Sequence, residues 1–313
     1  MMSFDELVAG VRRAAADDHP APPDFAAWRA GFACRGTPFQ AAVAAGLSAG
    51  QLAFCFAGGY QAALRCLLPS LPATAFGALL LSEGKRQRPE ELTTTLTPRG
   101  DGGFRLEGEK SWVTGALSAD PLLVIARRGT DADGRVSAAL VVLPPGLDGI
   151  RIEERRDMPF LAAVPHGRAL FTGVEVEAAM VVEGDGWRDH ARPFRTIEDV
   201  HVLAAMAAHA ARQSVRDGWS PSLQAALLSC LARLSGCAQY APGDPSGHLL
   251  LAAAERELQG CVAQINELLA GRDDDFPRDW RANHLLVALA APARAKRLEK
   301  AVATLLAVPV SRP

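Results

Sequence analysis

What this 313-residue sequence lacks narrows its task before any motif is read. Charge of one sign is not in surplus: 33 Lys and Arg stand against 35 Asp and Glu, a formal net charge of -2 at pH 7. A chain that neutralises many phosphates needs excess cations, so nucleic-acid binding is excluded as its main task. No stretch of about 18 uncharged apolar residues is present, so no membrane-spanning helix is expected. The stretch 1–20 carries acids where a secretory signal has a basic and then an apolar segment, and a cytoplasmic location is expected. No C-x-x-C pair occurs. Cys34, Cys55 and Cys66 lie in one apolar stretch and Cys230, Cys237 and Cys261 in another, none with histidines at zinc-ligand spacing. Buried free thiols and no metal are the expectation.

What is present suits a globular chain of roughly two domains at ~150 residues each. Half the glycines, fourteen of 28, lie between residues 79 and 186. That third reads as strands and turns: the alternation of 104–107, the short apolar runs 122–126 and 138–143, and the stretch 168–174. Asp101-Gly102-Gly103, Asp133-Gly134 and Pro144-Pro145-Gly146 supply turns. Strands joined by short turns, with no helical pattern between them, predict an antiparallel sandwich or barrel.

Both flanks are helical. Phe4, Leu7, Val8 and Val11 follow the i, i+3, i+4, i+7 spacing, and alanine-rich apolar segments cover 40–67. Residues 194–217 hold neither glycine nor proline, and 222–239, 247–270 and 278–306 repeat the amphipathic pattern. Four long helices predict a C-terminal bundle. The expected class is α+β, divided into a helical domain at 1–78, a β-domain at 79–186 and a helical bundle at 187–313.

The segment Leu106-Glu107-Gly108-Glu109-Lys110-Ser111-Trp112-Val113-Thr114-Gly115, followed by Ser118-Ala119-Asp120 and an apolar strand, resembles the central β-domain of the acyl-CoA dehydrogenase family. A tryptophan face offers a large flat apolar surface to a flavin ring. A hydroxyl two residues on points the same way along a strand and can hydrogen-bond a ring nitrogen. Upstream, Leu68-Pro69-Ser70-Leu71 and 77–83 look like the family's L-P-x-L and A-x-T-E-P segments. Downstream, 135–142, 170–176 and Glu183-Gly184-Asp185-Gly186-Trp187 look like its later strands and its exit from that domain. The match covers 46–213; beyond it, the bundle resembles the family by architecture.

The resemblance implies FAD, with Leu81 and Ser82 lining the pyrimidine edge, Trp112 packing on the ring and Thr114 bonding near the redox-active nitrogen. Ser82 stands where the family usually has threonine. The implied chemistry removes the proton α to a thioester carbonyl with a glutamate while the β-hydride passes to FAD. The usual glutamate segment late in the bundle corresponds to 280–292, which contains no acid. In members that carry the base on the first bundle helix, the corresponding residue is Asp199, with Val200 where an arginine belongs. Asp199 is therefore the candidate base, and its alternative role is a first-turn acid favourable to the helix dipole.

The pattern departs elsewhere too. Gly84-Lys85-Arg86-Gln87-Arg88-Pro89-Glu90 replaces the family's flavin- and pyrophosphate-holding turn, and its cations are either a phosphate contact or a solvated loop. The stretch that contacts a neighbouring subunit's FAD is not recognisable in 222–239. The chain before Ser82 is shorter than the family's N-terminal helical domain, which implies a trimmed wall for the acyl tail. Three readings follow: an FAD-dependent dehydrogenase of an acyl-CoA or other acyl thioester, a catalytically silent homologue serving as partner subunit or binding module, and a flavin-dependent monooxygenase of the same superfamily. A homo-oligomer is also implied.

Overall fold

The computed structural model describes residues 2–18, 22–84, 88–130 and 133–307. Lys85, Arg86 and Gln87 of the basic turn lie outside the described residues. Four helices, α1 (Phe4–Ala15), α2 (Phe25–Gly31), α3 (Pro38–Ser48) and α4 (Leu52–Leu67), precede the strands. The strands are β1 (Ala78–Leu80), β2 (Thr95–Pro98), β3 (Phe104–Thr114), β4 (Leu122–Thr130), β5 (Val136–Leu143), β6 (Ile150–Arg155) and β7 (His166–Val176). A π-type turn over Gly186–Ala191 leads into α5 (Arg192–Arg216), followed by α6 (Pro221–Cys237), α7 (Pro245–Leu268), α8 (Asp275–Asn283) and α9 (Ala291–Leu305). By contact, the chain divides into two units: 1–24, 34–66 and 196–313 form one, and 25–33 with 67–195 the other.

In the first unit, local chemistry sets where helices begin. Ser3 and Glu6 form a reciprocal capping box at the start of α1, and Leu7 and Val11 are its buried face, while Phe4 stays exposed. Thr37 and Gln40 do the same for α3, with Pro38 at its first position. Helix α7 starts on the Asp244 side chain, which accepts from Ser246 N at 2.7 Å, and again on a proline. The long fourth segment expected at 278–306 is instead broken into α8, a 3-10 turn (His284–Ala288) and α9. Pro292 lacks the N–H that would continue a helix into α9. Asp279 on α8 accepts from Leu52 N at 2.7 Å and so caps α4. Helices α3 and α5 touch backbone to backbone: a Cβ at Gly46 would meet Ala205 O at 2.0 Å, so only glycine fits there.

The second unit is built on one seven-stranded sheet, and it corrects the expected antiparallel sandwich or barrel. Its order is β1-β4-β2-β3-β7-β6, with β5 also paired to β4, and no pairing of β5 with β6 closes it among the described residues. It is also mixed, because β1 and β2 both run parallel to β4. The short-turn argument assumed that consecutive strands pair. Here β3 and β4 are consecutive in sequence, yet β2 lies between them. Leu80, Leu106, Val124, Val141 and Phe171 form the buried core of the unit. Phe25 and Trp28 of α2 pack edge-on against Phe76 at ring distances of 5.6 and 6.1 Å.

All six cysteines are free. Four are buried as expected, but Cys34 is half-buried and Cys66 exposed. Burial pushes the thiols up, Cys237 to about 12 and Cys261 to about 11. Among the described residues no helix is long and apolar enough to cross a membrane.

Candidate functional site

Strand β3 carries the site, and its glycine explains part of the motif. Gly108 has φ +132°, and a Cβ there would stand 2.5 Å from Thr94 Cα, so β3 can approach the 93–94 segment only with glycine at this place. Pairing with β7 slips between Lys110 and Val113, a bulge that re-aims Ser111 and Trp112. At that bulge Trp112 bridges Ser82 in antiparallel fashion, and Ser111 N donates to Ser82 O at 2.8 Å. Gly84 N donates to the Ser111 hydroxyl at 2.7 Å.

The bridge brings Ser82 and Trp112 together, and Thr114 follows two residues along the strand. Trp112 is 36% exposed, which leaves its indole available to a ligand. Neither the Ser82 nor the Thr114 hydroxyl has a hydrogen-bond partner among the described residues. A flat ring with two uncommitted hydroxyls fits a flavin, whose ring system is planar, apolar on its faces and polar at its edges. Leu81 is half-buried, and its carbonyl faces the Lys110 ammonium at 3.5 Å.

Sequence reasoning missed Arg155. Its guanidinium carbon lies 3.7 Å from the Trp112 ring centroid. Asp157 holds it with two hydrogen bonds of 3.0 and 2.6 Å, and it donates to Ser111 O at 3.2 Å. One indole face is thus covered by a cation in a cation–π contact. Nothing in the local pattern of β6 announces this, because the contact depends on how β6 and β3 flank β7.

Beneath the platform lies a buried ion pair. Lys110 Nζ donates to Glu83 Oε1 at 2.6 Å, with side-chain exposures of 0% and 2%. Glu83 also accepts from Thr93 N at 2.6 Å, from the Thr93 hydroxyl at 2.8 Å and from Thr94 N at 3.2 Å. Burial pushes its carboxyl up, but the Lys110 charge and these donors outweigh burial and hold it down to about 2. The pair ties the Ser82 segment, the 93–94 segment and β3 together.

Asp199 is placed inside the helical unit, 8% exposed. Its Oδ1 accepts from Arg294 Nη1 at 2.7 Å and its Oδ2 from Arg297, both on α9. Arg294 Nε pairs in turn with Glu255 at 2.7 Å. Burial pushes the Asp199 carboxyl up, against the pull of the two guanidiniums. Both guanidiniums reach Asp199 from almost a hundred residues away. The signal was the spacing of Arg294 and Arg297, three apart on one helix and therefore on one face.

An open mixed sheet bearing an aromatic platform, joined in one chain to a set of long helices, makes this an α+β protein. Residues 79–174 match the family described as acyl-CoA dehydrogenase, middle domain, and the chain is a relative of acyl-CoA dehydrogenases. The probable acyl-CoA dehydrogenase FadE10 of Mycobacterium tuberculosis is 32% identical over 126 residues, covering 39% of this chain and 19% of that protein. The benzylmalonyl-CoA dehydrogenase of Aromatoleum aromaticum is 26% identical over 155 residues, 48% of this chain and 39% of that one. The chain thus matches well under half the length of each. Among solved structures, butyryl-CoA dehydrogenase from Megasphaera elsdenii superposes with a TM-score of 0.67 over 96% of this chain and 97% of its own, at 13% identity. That likeness is one of fold.

Proposed function

We propose that the chain is an acyl-CoA dehydrogenase-like flavoprotein that binds FAD on the Trp112 platform and takes an acyl thioester, such as an acyl-CoA, as its ligand. The observation that carries this reading is the Ser82–Trp112 bridge with the uncommitted Ser82 and Thr114 hydroxyls. Trp112 packs on the ring, Ser82 and Thr114 hydrogen-bond its polar edge, and Leu81 lines the pyrimidine side. When bound, the flavin supplies a hydride acceptor for α,β-dehydrogenation. Lys110 and Glu83 hold the platform in place without touching the ligand. The α-proton must go to a carboxylate of this chain or of a partner, and Asp199 is the candidate in this chain.

A second reading is favoured by one observation: both Asp199 oxygens are already engaged by arginines. With Oδ1 held by Arg294 and Oδ2 by Arg297, neither oxygen is free to reach a substrate proton. The chain is then a silent homologue that holds flavin or ligand beside an active subunit. Absorbance separates the two readings. Flavin bound to the purified chain and bleached by butyryl-CoA without oxygen supports dehydrogenation; bound flavin that stays oxidised supports the silent homologue. A colourless protein that refuses added FAD overturns the first reading.

Asp199→Asn is expected to lower folding stability by about 3 kcal/mol, since it removes the charge facing two largely buried guanidiniums. The denaturation midpoint measures this. Bleaching that persists in the folded fraction of the variant removes Asp199 as the base.

A further inference from the structure

A second site lies wholly within the helical unit. A cavity of about 60 Å³ opens where 196–201 of α5 meets the end of α6 and the start of α7. Its wall is mostly apolar, with Ile197, Val200, Ala238 and Pro242, but it also carries two imidazoles, His201 and His248. His201 is 3% exposed, and its Nδ1 lies 2.7 Å from Ile197 O. A carbonyl only accepts, so Nδ1 carries the proton and Nε2 is left as an acceptor with no partner among the described residues. The Nδ1 of His248 is likewise buried without a hydrogen-bond partner. Ring nitrogens left this way can bond to a group that enters the cavity.

Size and charge define what fits. One water needs about 10–15 Å³ of such space, so this cavity has room for about four or five heavy atoms. Burial holds both imidazoles below their ordinary value, and the nearby cations Arg297 and Lys300 push His248 further down against Asp244. The Arg297 guanidinium is itself paired with Asp199. The wall thus offers neutral imidazole acceptors and apolar surface, and its one carboxylate, Asp244, already accepts from Ser246 N at the start of α7.

We propose that this cavity binds a small neutral aliphatic molecule bearing one hydroxyl, which donates to His201 Nε2 while three or four carbons fill the apolar wall. Neither imidazole belongs to the Trp112 platform.

The test follows the imidazole C–H resonances of His201 and His248 by NMR in the full chain as 1-butanol is added, with butyrate and butylamine as comparators. Saturable shifts with 1-butanol are expected, with a Kd on the order of 1 mM for so small a ligand. At least tenfold weaker responses are expected from both charged comparators. Ala238→Leu, which fills the cavity, and His201→Phe, which removes the acceptor at similar volume, should each weaken butanol binding at least tenfold. The comparators and Ala238→Leu keep the test decisive if His201→Phe does not fold. A butanol response that fails to saturate, one unchanged in Ala238→Leu, or tighter binding of butyrate would overturn the proposal, the first outcome meaning that water alone occupies the cavity.

Discussion

Replacing Lys110 with methionine is expected to cost about 3–5 kcal/mol of folding stability, because it leaves the Glu83 carboxylate buried without its counter-ion. Methionine keeps the length and apolar stem of lysine, so most of the loss is electrostatic. Urea denaturation measures it, and a loss below about 1 kcal/mol would mean that the Thr93 and Thr94 donors suffice to hold the carboxylate. The pair also sets the acid limit. Glu83 is held down to about 2 from an ordinary 4.5, so its contribution is fully present above pH 4.5 and is lost as pH falls from there through 2. In Lys110→Met the carboxyl loses its main depressing charge, so the acid-unfolding midpoint should move to higher pH. Because Glu83 ties together the three segments framing Trp112, flavin occupancy should fall in the same variant.

Trp112→Ala is expected to leave the fold nearly intact and to weaken FAD binding about 30- to 100-fold. The fold survives because the ring is 36% exposed and its removal opens no sealed cavity, so stability should change by about 1 kcal/mol or less. Binding weakens because an aromatic platform contributes stacking as well as apolar contact, together about 2–3 kcal/mol. Titration of the apoprotein with FAD, followed by flavin fluorescence, reads the change. Unchanged affinity would move the ring away from Trp112. Trp112→Phe should recover most of the lost affinity, since it restores a flat face for both the ligand and the Arg155 guanidinium.

Much of the site strand was legible in the sequence. Alternation along 104–107 and the motif through Thr114 located β3, and the two-residue period put Trp112 and Thr114 on one side of it. The sheet as a whole was not legible, because turn signals report which strands follow one another and not which lie side by side. The insertion of β2 between β3 and β4, and the parallel pairing of β1 with β4, leave no local mark. The bundle's last segment was misread for a different reason: the amphipathic period continues through Pro292, but a proline cannot continue the backbone ladder.

By itself the sequence determined the helical and strand-rich stretches, the placing of Trp112 and Thr114 on one side of a strand, and the family resemblance, since each depends on residue types at fixed short spacing. Tertiary structure alone decided what those residues face. Lys110 meets Glu83 across 27 positions, Arg155 reaches the Trp112 ring from another strand, and Asp199 is claimed by arginines 95 and 98 positions away. The physical reason is range. Caps and periodicity are set by neighbours a few residues apart, whereas a buried charge is stabilised by whichever partner the packing of distant elements delivers, and that choice separates a free base from a structural ion pair.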